Sequence, residues 1–88
     1  MKKLGEELQK IGKIAHFFTK INVAVIDLTA SISVGDRILI KGPTTNLEQT
    51  IDSIEIEHEK VEKAGAGQSI GLKVKDRVRE TDVVYKIA

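Results

Sequence analysis

Branching at Cβ sets the outer limits of what this chain can become. Isoleucine, valine and threonine supply 26 of its 88 residues (12 Ile, 8 Val, 6 Thr), against six leucines and one methionine. A second heavy atom on Cβ stiffens χ1 and fits a pleated surface better than a helix. Seven glycines and one proline interrupt this material at short intervals, as turns between short strands require. The expected class is therefore all-β. At 88 residues there is room for one small domain with a thin core.

The alternation of residues places the elements. Leu4, Leu8 and Ile11 fall at helical spacing, so residues 1–9 read as a short lead-in, helical or frayed. Residues 10–88 read as the domain. A strand starts at Lys10, and a second runs from Val23 to Leu28 with Val23, Val25 and Asp27 on one face. Val34-Gly35-Asp36 is a tight turn. Arg37 to Lys41 puts Ile38 and Ile40 inward, and Gly42-Pro43 ends that strand. Leu47 to Glu59 is the longest extended stretch. Its inward phase runs through Leu47, Gln49 and Ile51, then changes to Ile54 and Ile56, which places a bulge near Asp52-Ser53. Val61 and Ala64 read as a helical turn closed by Gly65. Strands from Ser69 to Asp76 and from Asp82 to Ile87 complete the chain. Six short strands at this spacing predict a closed β-barrel, which also removes sheet edges.

Composition excludes several functions. With no cysteine, a disulfide framework, a zinc ribbon and a thiol nucleophile are unavailable. A net charge of +1 exerts no global pull on nucleic acid or membrane. The longest apolar run, Val23 to Ile26, is four residues, far below the roughly 18–20 that span a bilayer. Met1-Lys2-Lys3 is followed by Gly5-Glu6-Glu7 rather than an apolar stretch, so no signal peptide is expected and the compartment reads as cytoplasmic.

No catalytic constellation is expected either. His16 and His58 stand alone, and Glu57 and Glu59 beside His58 point to the opposite face of an extended strand. The serines at 31, 33, 53 and 69 include no Gly-x-Ser-x-Gly elbow. Gly65-Ala66-Gly67 followed by Gly71 matches neither the dinucleotide fingerprint nor the P-loop, and a strand follows instead of a helix. The expectation is a chain that is not an enzyme and needs no cofactor or metal. The charges are more informative. Lys73, Lys75, Arg77 and Arg79 recur at every second residue, as do Glu55, Glu57 and Glu59. On strands the basic set would form a stripe able to track a phosphate backbone. The alternative is two solvated faces of opposite sign. With only Phe17, Phe18 and Tyr85 as aromatics, there is no platform for base stacking.

Three segments carry a family resemblance. Val34-Gly35-Asp36-Arg37-Ile38-Leu39-Ile40-Lys41-Gly42 resembles the V-G-D-x-[VI]-x-[IV]-x-G turn and strand of domain 2 in translational GTPases such as elongation factor Tu. Ile51-Asp52-Ser53-Ile54-Glu55-Ile56 is similar to the next strand of that domain, and Glu62-Lys63-Ala64-Gly65-Ala66-Gly67-Gln68-Ser69-Ile70-Gly71-Leu72 to its glycine-marked strand entry. The likeness covers about residues 10–87. A closer one is to small, free-standing translation elongation factor-like proteins, and to the module at the C-terminus of collagenase-like peptidase family proteins. It is carried by Lys41-Gly42-Pro43-Thr44-Thr45, Glu48-Gln49-Thr50, Ile56-Glu57-His58 and Val78-Arg79-Glu80-Thr81-Asp82-Val83-Val84-Tyr85.

The resemblance implies a six-stranded closed barrel of the elongation factor domain 2 type. In that domain a glutamate lies against the terminal adenosine of tRNA; it corresponds to Glu55. The arginine three residues on falls on His58, and the asparagine of the strand entry falls on Ser69. GTP hydrolysis is not implied, because no nucleotide domain lies in these residues. The expected function is a non-catalytic module bound to RNA or to ribosomal or tRNA-processing machinery. The alternative is a protein-interaction module docked on a partner enzyme, such as a collagenase-like peptidase family protein.

Overall fold

Isoleucine placement decides the register of the sheet. Burying one isoleucine side chain is worth about 1.5–3 kcal/mol, against about 1 kcal/mol net for a hydrogen bond. Slipping a strand by one residue would turn its isoleucines to water. The computed structural model describes residues 8–87, and nine of its sixteen buried hydrophobic residues are isoleucines. In order the strands are β1 (Leu8–Phe18), β2 (Val23–Leu28), β3 (Ile32–Ser33), β4 (Arg37–Lys41), β5 (Asn46–Thr50), β6 (Ile54–Ile56), β7 (Glu59–Val61), β8 (Lys63–Ala64), β9 (Ser69–Lys73) and β10 (Val83–Ile87). The all-β expectation holds, and no helix occurs among the described residues.

The strand count and the closed barrel do not hold. Eight strands form one antiparallel sheet in the order β5-β4-β10-β1-β2-β9-β6-β7, and β3 pairs with β8 in a separate ribbon. No ladder joins the two edges, β5 and β7. The reason lies at Ile51–Ser53. The stretch expected as one bulged strand leaves the sheet after Thr50 and re-enters as β6, beside β9. Ile51 is buried there, and its backbone bonds to the Gly35-Asp36 turn instead of to a strand. The helical turn expected at Val61–Ala64 is β7 and β8. Leu8 to Ile11 is extended within β1 and not helical; residues 1–7 of the expected lead-in lie outside the described residues.

Curvature comes from β1. Its pairing skips Ile11 opposite β10 and Ala15 opposite β2. Each extra residue kinks the strand and raises its twist. The first bulge also lets the consecutive residues Ile11 and Gly12 both face inward. Gly12 is required by space: a Cβ there would sit 2.6 Å from the Asp27 carbonyl oxygen.

A side chain supplies the closure that the ladder omits. Gln49 on β5 is buried. Its amide nitrogen donates to the Lys73 carbonyl at 3.0 Å, and its amide oxygen accepts from the Lys75 N–H at 2.9 Å. One primary amide thereby imitates a peptide unit and stitches the β5 edge to the end of β9.

Two substitutions test this frame. Gly12→Ala should lower stability by about 1–3 kcal/mol through overpacking against β2. Gln49→Met keeps the volume but orphans a donor and an acceptor, and should cost about 1–3 kcal/mol. A urea titration of each variant against the parent chain reads both effects.

Candidate functional site

Strand alternation puts Ala24, Ile26 and Leu28 of β2 in the core and turns Val23, Val25 and Asp27 outward, grouped as their spacing predicts. Val23 and Val25 are apolar on what should be the wet face. β9 continues that surface with Ser69, Gly71 and Lys73, and β6 adds Glu55. Beyond the β1–β2 turn, Phe18 and Ile21 remain 47% and 57% exposed. Together these residues enclose a groove of about 440 Å³, rimmed by Glu57 and His58. A smaller hollow of about 220 Å³ continues it past Ser53 to Lys73. A volume of this size falls within the range of ligand clefts.

The rim is conformationally costly. Glu57 and His58 form the two-residue turn between β6 and β7, with φ of 50° and 69°. Both central residues of such a turn occupy the left-handed region, where Asn-Gly is favoured. A side chain there costs about 1–2 kcal/mol per residue. Strain of this kind collects at binding sites. Along the other side, the Ser69 hydroxyl donates to Asp27 Oδ1 at 2.6 Å. Phe18 meets the His16 ring edge-on at 4.4 Å between centroids, and His16 Nδ1 lies 2.9 Å from Glu80 Oε2.

The residues singled out in the sequence divide into two sets. Glu55, His58 and Ser69 are 14 positions apart at the extremes, yet all three line the groove. Lys73 closes its far end. Lys75, Arg77 and Arg79 do not join them. β9 ends at Lys73, four residues before Arg77, so no strand holds the basic stripe together. The chain leaves the sheet there because Val74 and Val78 are drawn into the core. Arg77 and Arg79 border a separate hollow with Phe17, Thr19 and Glu80. The acidic stripe also dissolves, since the turn at Glu57-His58 sends Glu59 into β7. The apolar lining (Phe18, Ile21, Val23, Val25) and Glu57 belong to the groove but not to the site residues expected from the sequence. Their signal was present: Val23 to Ile26 is apolar on both phases, more than one buried face needs.

Two carboxylates, Glu55 and Glu57, line the groove, and Lys73 lines its continuation. Outside that lining, Lys60 stands opposite Glu55 and Lys13 opposite Asp27 in the strand ladders. Among the described residues no group of three or more His, Cys, Asp or Glu is placed to hold a metal ion. No helix among them is long and apolar enough to cross a membrane.

Fold and groove together define a small all-β module with an apolar-floored groove on the outer face of its sheet. Comparison with known proteins supplies its kin. The chain is 42% identical over 77 residues, 86% of its length, to part of an uncharacterized protease of Methanocaldococcus jannaschii. It is 37% identical over 86 residues to a collagenase of Porphyromonas gingivalis, and 38% identical over 86 residues to the collagenase of strain W83 of that species. The chain spans 19%, 24% and 21% of these relatives' lengths. Its fold is that of the C-terminal domain of a Geobacillus thermoleovorans protein assigned to the U32 peptidases. The TM-score is 0.83 at 21% identity, covering 89% of this chain and 91% of that one. A selenomethionine form of the same domain gives a TM-score of 0.82, covering 86% and 96%. No family model matches the chain. The 88 residues are thus homologous to a segment of collagenase-like proteins and share the fold of a U32 C-terminal domain.

The strained rim yields a prediction. Replacing Glu57 and His58 together by Asn and Gly should raise stability by about 1–2 kcal/mol. Thermal unfolding followed by circular dichroism would show a higher midpoint. An unchanged or lower midpoint would mean that the turn stores no strain.

Proposed function

We propose that this chain is a non-catalytic accessory module that docks on a collagenase-like partner enzyme. One observation carries the reading: 42% identity over 77 residues to about a fifth of a protease. A segment that makes up about a fifth of that relative leaves most of the longer protein to carry its activity. The U32 C-terminal fold supports the same reading. The groove has the composition of an interaction surface, with an apolar floor inside a polar rim.

A second reading has its own observation. Glu55 lies on one groove with His58 and Ser69, which stand where the tRNA-end motif of elongation factor domain 2 has arginine and asparagine. In that reading the groove takes the end of an RNA. Charge weighs against it, because the two carboxylates that line the groove, Glu55 and Glu57, repel a phosphate backbone.

Expression of the tagged full chain in its source cells, followed by mass spectrometry, separates the two. The expected catch is a stoichiometric collagenase-like protein. The chain alone should leave gelatin uncut. Bulk tRNA should show no salt-sensitive retention on filters, and Lys75→Glu with Arg77→Glu should change nothing. A catch of ribosomal or tRNA-processing components, lost at higher salt, would overturn the accessory reading in favour of the RNA one.

A further inference from the structure

Gly71 has no reason within the fold to be glycine. It lies mid-strand in β9, paired with Val25 on one side and Glu55 on the other. Its φ is not in the left-handed region, and a Cβ there would meet Val23 Cγ1 at 3.5 Å and the Glu55 backbone oxygen at 3.8 Å, both ordinary contacts. Glycine weakens a strand interior through its entropy and its missing side chain. Where no turn or clash demands it, a strand glycine marks the close approach of something else. Gly71 sits on the floor of the groove. The missing side chain leaves the backbone bare between Val23 and Glu55.

The surroundings specify the rest of the occupant. Phe18, Ile21, Val23 and Val25 offer apolar contact. Glu55 and Glu57 stand at one rim; Lys60 is the cross-strand neighbour of Glu55, and no salt bridge among the described residues engages either carboxylate. We infer that the groove binds a polypeptide segment in which an apolar side chain seats over Gly71 and an adjacent lysine or arginine meets Glu55 and Glu57. Charge complementarity selects this occupant over a nucleic acid, whose phosphates would meet the same carboxylates. The inference rests on the accessory reading and gives its docking surface a chemistry.

The test uses the full chain labelled with ¹⁵N and three probes. They are the acetylated, amidated dipeptide of leucine and lysine, its leucine–glutamate counterpart, and the trinucleotide CCA. The lysine probe should move the amide signals of Val23, Val25, Glu55 and Gly71. The glutamate probe should bind roughly tenfold more weakly, and CCA should leave these signals in place. Glu55→Gln with Glu57→Gln should weaken the lysine probe roughly threefold. Gly71→Val, which suits a strand, should keep the dispersed spectrum and abolish the shifts. Gly71→Ala gives a milder block if the valine disturbs the sheet. Equal binding of both dipeptides, shifts from CCA alone, or binding that survives Gly71→Val would overturn the inference. Capture of a collagenase-like partner by the Gly71→Val chain at the parental level would overturn it too, while leaving the accessory reading intact. Binding of the lysine probe without any such partner would do the reverse.

Discussion

The whole arrangement depends on how a sheet that is not closed by its own ladder stays curled. Two bulges in β1 supply the curvature, but curvature alone leaves β5 as a free edge. An unpaired edge exposes backbone donors and acceptors and invites association with other chains. Gln49 answers this with a side chain. Its amide has the donor and acceptor geometry of a peptide group, and it bonds to Lys73 and Lys75 where a further strand would otherwise have to run. Burial strengthens both bonds and makes their loss expensive. Because those bonds fall on β9 and its continuation, the seam also fixes the far end of the strand that floors the groove.

Residue type and alternation made much of this legible. The isoleucine phases at Ile38, Ile40, Ile51 and Ile54 were read correctly, because period-2 burial is a local property of the strand. The inward position of Gln49 followed from the same phase. Closure was not legible, since it depends on which edges meet, and that is decided by pairings between distant segments. The phase change at Asp52-Ser53 shows the difference. In sequence, a bulge and a departure from the sheet look alike; only the partners of Ile54 distinguish them. Likewise, alternation made a stripe of Lys73, Lys75, Arg77 and Arg79, but the strand stops when Val74 and Val78 go into the core. Periodicity describes a strand only as far as the strand runs.

The groove was half legible. Glu55, His58 and Ser69 were singled out by motif resemblance, and all three line the groove. The apolar floor went unread because outward valines are unremarkable one at a time. Their meaning comes from the exposed Phe18 and Ile21 beside them and from a glycine with nothing to make room for within the fold. The sheet's inward side holds isoleucines, and its outward side keeps valines and a bare glycine along the groove.

Amide hydrogen exchange on the intact chain addresses the seam directly. Lys75 lies two residues beyond the end of β9, so no strand ladder protects its N–H; only the Gln49 amide oxygen does. If the seam holds the sheet curled, the Lys75 amide will exchange nearly as slowly as that of Leu72 in the middle of the sheet. Exchange of Lys75 at the rate of a free loop, with Leu72 still protected, would show that β5 and β9 are not joined and that the account of the fold and its groove is wrong.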